Sequence, residues 1–167
     1  VHLTGHGLFE STRRLPRHET LVDPLLFGLQ LIATRNGRQR AGMSHASLGR
    51  VLVFRGLPSP DHDPAGYARN LAQKVRWERD PRVRVTLRPL KYEYAKDATG
   101  RPATDVHGNR IVSGPPREKG IDVLCALAAV SEAQQPDTDL VVLASSDSDL
   151  APALDEVRRL GTAKIET

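Results

Sequence analysis

Asp122, Asp147 and Asp149 are the residues whose type and spacing best suit chemistry, because each falls where a buried strand or a glycine turn gives way to a helix. Leu140 to Ala144 is a short continuous apolar run, as expected of a parallel strand buried on both faces, and Ser146, Asp147 and Ser148 follow it as helix-capping types. Asp122 comes two residues after Gly120 at the start of an apolar helical stripe, where the positive end of the helix dipole favours an ionised carboxylate. Ligands of open parallel sheets bind outside the carboxyl ends of the strands, so all three aspartates are expected on that rim. Carboxylate oxygens gathered there suit a hard divalent metal ion.

The elements that must position these residues are marked by periodicity and punctuation. Ile121, Leu124, Cys125 and Ala128 give the first helix its core stripe, and Leu150, Leu154, Val157 and Leu160 give the second, with Pro152 tolerated in its first turn and Gly161 ending it. Upstream, Val1 to Thr4 reads as a strand, Pro24 to Thr34 as a helix, Arg50 to Arg55 as a strand with a buried centre, and Val83 to Arg88 as an alternating edge strand. Asp61 and Asp63 precede Pro64 and read as the start of a helix through Trp77 rather than as an acidic pair. Strands separated by helices predict one α/β domain over residues 1–167, a mainly parallel sheet with right-handed crossovers. Residues 91–117 break the pattern: two turn signals and few apolar residues predict a hairpin-like excursion or a mobile loop.

Glu118-Lys119-Gly120-Ile121-Asp122-Val123 and Ser146-Asp147-Ser148-Asp149-Leu150, followed by a helix ending in Leu-Gly, resemble the NYN domain family, a branch of the PIN-like nucleases. The resemblance covers essentially the whole chain. It implies a three-layer Rossmann-like PIN/NYN fold and a metal-dependent endoribonuclease in which Asp122, Asp147 and Asp149 gather around magnesium or manganese. The start of the chain departs from the family pattern: Thr4 stands where an aspartate is usual and Gly7 where an asparagine is usual, and Ser146 replaces a common glycine. A weakened first motif is therefore expected. The alternative is a catalytically inactive NYN-fold module that binds RNA or a protein partner.

Charge supports a polyanionic partner. Residues 35–119 hold 18 Lys and Arg against 8 Asp and Glu, whereas residues 120–167 hold 3 against 9, so the overall +4 conceals a basic middle and an acidic end. Arg35, Arg38, Arg40, Arg50 and Arg55 are spread over several elements, so many of these charges suit either an RNA footprint or plain solvation. Lys119 is expected to fix an RNA backbone, and in the excursion Lys91, Lys96, Arg101, Arg110 and Arg117 could reach phosphates while Tyr92 and Tyr94 offer stacking faces. Single-stranded or structured RNA is thus the expected partner, with a homodimer or a protein partner left open.

Other chemistry is disfavoured. The six histidines lack zinc-like spacing, and His6 is a turn residue before it is a ligand. Cys125, the single cysteine, lies on a predicted apolar face, so a core thiol and a reducing cytoplasm are expected. No stretch reaches membrane-span length, the start lacks the order of a signal peptide, and no Gly-rich phosphate loop follows the first strand. The strand patterns at Val1 and at Ala163 to Glu166 run up to the ends of the sequence, so further residues are expected beyond either end.

Overall fold

The computed structural model describes residues 21–145 and 147–167. The expected strand at Val1 to Thr4, with Thr4, His6 and Gly7, lies outside the described residues, as does Ser146. The chain is a mixed α/β protein with the order α1 (Pro24–Gly37), β1 (Val51–Leu57), α2 (Pro64–Trp77), β2 (Val83–Pro89), α3 (Ile121–Ala133), β3 (Leu140–Val142), α4 (Ala151–Leu160) and β4 (Lys164–Glu166). β1 pairs with β2 and β3 with β4, both in parallel, giving two small two-stranded sheets among the described residues.

One capping device starts both of the first two helices. Asp23 Oδ1 accepts from the backbone N–H groups of Leu25 and Leu26 at 3.0 and 3.1 Å, and Asp63 Oδ1 accepts from that of Gly66 at 2.7 Å. Pro24 and Pro64 then occupy the first helical position, where their missing N–H groups cost nothing. Gly66 has to be small, because a Cβ there would collide with the Asp63 carboxylate. Asp63 thus behaves as the sequence predicts, while Asp61 sits in the preceding turn, its N–H donating to Ser59 Oγ.

β1 carries helices against both faces because its side chains alternate. Val51 and Val53 pack with Leu25 of α1, Trp77 of α2 and the buried Val83 and Val85 of β2. Phe54, pointing the other way, packs on Ile121 and Cys125 of α3 and on Leu150. Along α3 the buried positions are Ile121, Cys125, Ala129 and Ala133, one line of four-residue steps. The far end of α3 is tied down by Arg50, which pairs with Glu132 and Asp137, and by Thr162 Oγ1 donating to the Ala133 carbonyl at 2.6 Å. Among the described residues, a cavity of about 1010 Å³ separates β1 from β3, lined by Val53, Phe54, Cys125, Val141 and Leu143 among others.

The turn between α2 and β2 holds a charge clamp with a pH signature. Asp80 accepts from Arg82 Nε at 2.9 Å, from its Nη2 at 2.8 Å and from its backbone N–H at 3.0 Å. These bonds, the side-chain ones first, lower the Asp80 carboxyl to about 2. A folded-state value below the unfolded one, about 3.9, adds stability that is complete above the unfolded value and lost as pH falls towards 2. Thermal midpoints recorded between pH 5 and pH 2 should therefore fall less steeply for Asp80→Asn than for the wild type. An identical acid limb would show that the clamp contributes nothing.

Residues 91–117 form a hydrogen-bonded excursion. The N–H groups of Ala95, Ala103 and Ile111 donate to the carbonyls of Ile111, Ala95 and Ala103 at 2.9, 2.7 and 2.9 Å, which closes three segments into a ring. Two similar turns connect them. Asp97 Oδ1 accepts from the N–H groups of Thr99 and Arg101, and Asp105 Oδ1 from those of His107 and Asn109. Gly100 and Gly108 sit at φ +81° and +82°, a conformation that side chains disfavour. Local backbone bonding does here what the segment's few apolar residues cannot.

Candidate functional site

Asp122 and Asp149 belong to helix starts held together by the residues beside them. Gly120, at φ +74°, turns the chain into α3, and Asp122 stands exposed in the first turn. Asp147 caps a single 3-10 turn, Ser148–Leu150, that leads into α4. Its Oδ1 accepts from the Asp149 N–H at 2.9 Å, and its own N–H donates to Ser145 Oγ at 3.2 Å. Ile121 and Leu150, the neighbours of Asp122 and Asp149, are 5% and 3% exposed and share one apolar cluster. Burial of these two side chains thus fixes where the two carboxylate-bearing segments lie. Among the described residues, however, no three His, Cys, Asp or Glu side chains gather closely enough to hold a metal ion.

The segment entering α3 is fastened to the ends of β1 and β2. Lys91 and Arg117 exchange backbone hydrogen bonds at 2.8 and 2.9 Å, and Glu118 Oε1 accepts from the Gly56 N–H at 2.7 Å. Gly56 leaves room for this, since a Cβ there would run into Leu90 and Glu118. Cys125 is a buried thiol whose pKa is raised, first by burial and further by the charges of Asp122 and Glu118. A thiol kept protonated and buried is a poor nucleophile, in line with the core reading.

The basic residues divide into engaged and free. Arg35 binds Glu166 through two nitrogens and Arg50 is committed to Glu132 and Asp137, so neither is spare for a polyanion. Arg55 is half-buried, with its guanidinium carbon 5.4 Å from the centre of the Trp77 ring and Nη1 donating to Gln73 at 2.7 Å; burial lowers its pKa despite the nearby Glu118. In the excursion Arg117 lies 3.7 Å from Glu93, and Arg110 lies over Tyr94 at 5.6 Å. Lys91, Lys96, Arg101 and Lys119 are exposed, and among the described residues their side chains make no hydrogen bond or ion pair.

The tyrosines are less open than the sequence suggests. The His62 ring lies 4.6 Å from that of Tyr92 and 5.7 Å from that of Tyr94, its Nε2 is 3.1 Å from the Tyr94 hydroxyl, and Ser59 N–H donates to the Tyr92 hydroxyl at 2.9 Å. These contacts anchor the excursion on the turn between β1 and α2. They leave less ring face for bases than two solvated tyrosines would offer. Sequence reading did not single out Arg88, the last residue but one of β2, beside the start of α3, because that neighbour is set by backbone register and not by any local pattern.

No family model, curated protein or solved structure matches this chain.

Proposed function

We propose that the chain is an NYN-type, PIN-like protein that acts on RNA, with Asp122, Asp147 and Asp149 serving divalent-metal-dependent phosphodiester hydrolysis. The observation that carries this reading is the shared burial of Ile121 and Leu150, which holds the two acidic helix starts together. Packing on both faces of β1, and the common cavity between β1 and β3, support a three-layer Rossmann-like arrangement in which the two strand pairs belong to one mainly parallel sheet. The donors suit a hard ion in kind, and magnesium accepts one or two protein carboxylates with water and phosphate oxygens completing its shell. Mg2+ or Mn2+ would be held by Asp122 with Asp147 or Asp149, and when bound would supply an activated water and charge neutralisation at the phosphate. Lys119, Lys91 and Arg101 are free to hold the RNA backbone, with Arg110 and Arg117 adding positive charge from their paired positions.

A second reading, an RNA-binding or protein-scaffolding module without catalysis, rests on Thr4 and Gly7 standing where the resembled family usually has an aspartate and an asparagine. Incubation of single-stranded RNA with the protein in Mn2+ or Mg2+ separates the two. Cleavage that stops on chelation, with affinity that falls as salt rises, is the expected result. RNA bound but uncut in both metals selects the RNA-binding form of the second reading, and neither binding nor cutting overturns every RNA reading and leaves only the protein-scaffolding form.

Among the described residues no helix is long and apolar enough to cross a membrane. A cytoplasmic location, and any protein partner or homodimer, belong to this proposal.

A further inference from the structure

We infer that Arg88 is a phosphate-binding residue of the RNA surface, an inference that rests on the RNA reading above. The antiparallel pair Lys91 and Arg117 fixes the register between the end of β2 and the segment entering α3, and three residues back on one side and on along the other bring Arg88 opposite Gly120. The contact follows that register: the Arg88 guanidinium carbon lies 3.5 Å, and Nε and Nη2 3.6 Å, from the position a Cβ would take on Gly120. Gly120 is held at φ +74°, which favours glycine there, while a Cβ at that position would meet the guanidinium only at ordinary van der Waals distance. The side chain is exposed, and among the described residues it makes no hydrogen bond or ion pair.

Its surroundings explain why such a placement fits a ligand. Arg88 stands at the carboxyl end of β2, one residue from Lys119 across the register and two residues along the chain from the level of Asp122. Arg35, Arg50 and Arg82 are committed to carboxylates and Arg55 to Gln73 and Trp77, which leaves Arg88 as an uncommitted guanidinium beside the start of α3. A guanidinium beside Gly120 with its donors unspent can present its fork to a phosphodiester oxygen pair. Arg84, on the same strand and the same exposed face, lacks that neighbour and serves as the internal control.

The test is binding of a short fluorescein-labelled oligouridylate to the full chain without added metal, followed by polarisation across a salt series. Arg88→Gln should weaken binding about fivefold near 0.1 M salt and reduce the log–log salt slope by about 0.7, the signature of one lost phosphate contact. Arg84→Gln should stay within about twofold of wild type, and Arg88→Lys should recover part of the loss because charge is kept while the fork is not. Arg88→Gln binding like the wild type, or no worse than Arg84→Gln, overturns the inference while leaving the RNA reading intact. Failure of the wild type to bind the oligomer in any salt overturns both.

Discussion

Leu150→Ala should destabilise the protein by about 2–5 kcal/mol, the range for truncating a buried leucine whose surroundings relax only in part. At 3% exposure Leu150 packs with Ile121, Cys125 and Phe54, so it joins the 3-10 turn, α3 and β1 at one point. The loss should be read from urea unfolding as a lower midpoint with an unchanged slope. Leu127→Ala is the matched comparison. Leu127 lies on the outer face of α3 at 63% exposure, and its truncation should change stability by no more than about 0.5 kcal/mol. Because Leu150 also places Asp149 beside α3, RNA cleavage by Leu150→Ala should fall even at temperatures where the variant remains folded. Equal stability of the two variants would mean that this apolar cluster does not hold the acidic segments.

Much of the arrangement was legible in the sequence because local rules set it. The Asp-Pro helix starts at 23–24 and 63–64, the Gly120 entry to α3 and the Gly161 end of α4 all depend on residues within one turn of each other. Helix α1 runs on to Gly37, past the expected end at Thr34, since nothing in Arg35 and Asn36 forbids a helix. β3 is three residues long, shorter than the apolar run that predicted it, because its only partner among the described residues, β4, is equally short.

What the sequence hid is mostly non-local. Arg35 and Glu166 lie 131 residues apart, and Arg50 and Glu132 are joined only by the fold, so counting charges overstated the positive charge left uncommitted. The sequence left the excursion open between a hairpin-like form and a mobile loop because it has little to bury; Asp97 and Asp105 each organise a turn there through their own carboxylates. Hydrogen bonds to those carboxylates lower both pKa values, for Asp97 chiefly through the Thr99 hydroxyl and for Asp105 chiefly through the Asn109 N–H. Arg88 was passed over for a related reason. An exposed arginine on an alternating strand carries no local mark of the glycine it will face.

The second large effect concerns Asp147, whose carboxylate has two possible tasks. It caps the turn by accepting from the Asp149 N–H, and a capping cluster on an ordinary helix is the plainest reading of an Asp-Ser-Asp motif. Asparagine keeps an acceptor oxygen at that cap and removes the charge, whereas alanine removes both. Asp147→Asn should therefore unfold within about 0.5 kcal/mol of the wild type, and Asp147→Ala should lose about 1 kcal/mol. If the proposed hydrolysis runs through Asp147, it needs the charge, so both variants should lose about a hundredfold or more in RNA cleavage, the scale for removing one group that stabilises a transition state.

The account is tested most directly by the rate at which Asp147→Asn cuts single-stranded RNA in Mn2+, measured beside its thermal midpoint. It predicts a midpoint close to that of the wild type and cleavage reduced to background. Wild-type cleavage retained in a folded Asp147→Asn protein would contradict it, leaving Asp147 a helix cap and nothing more.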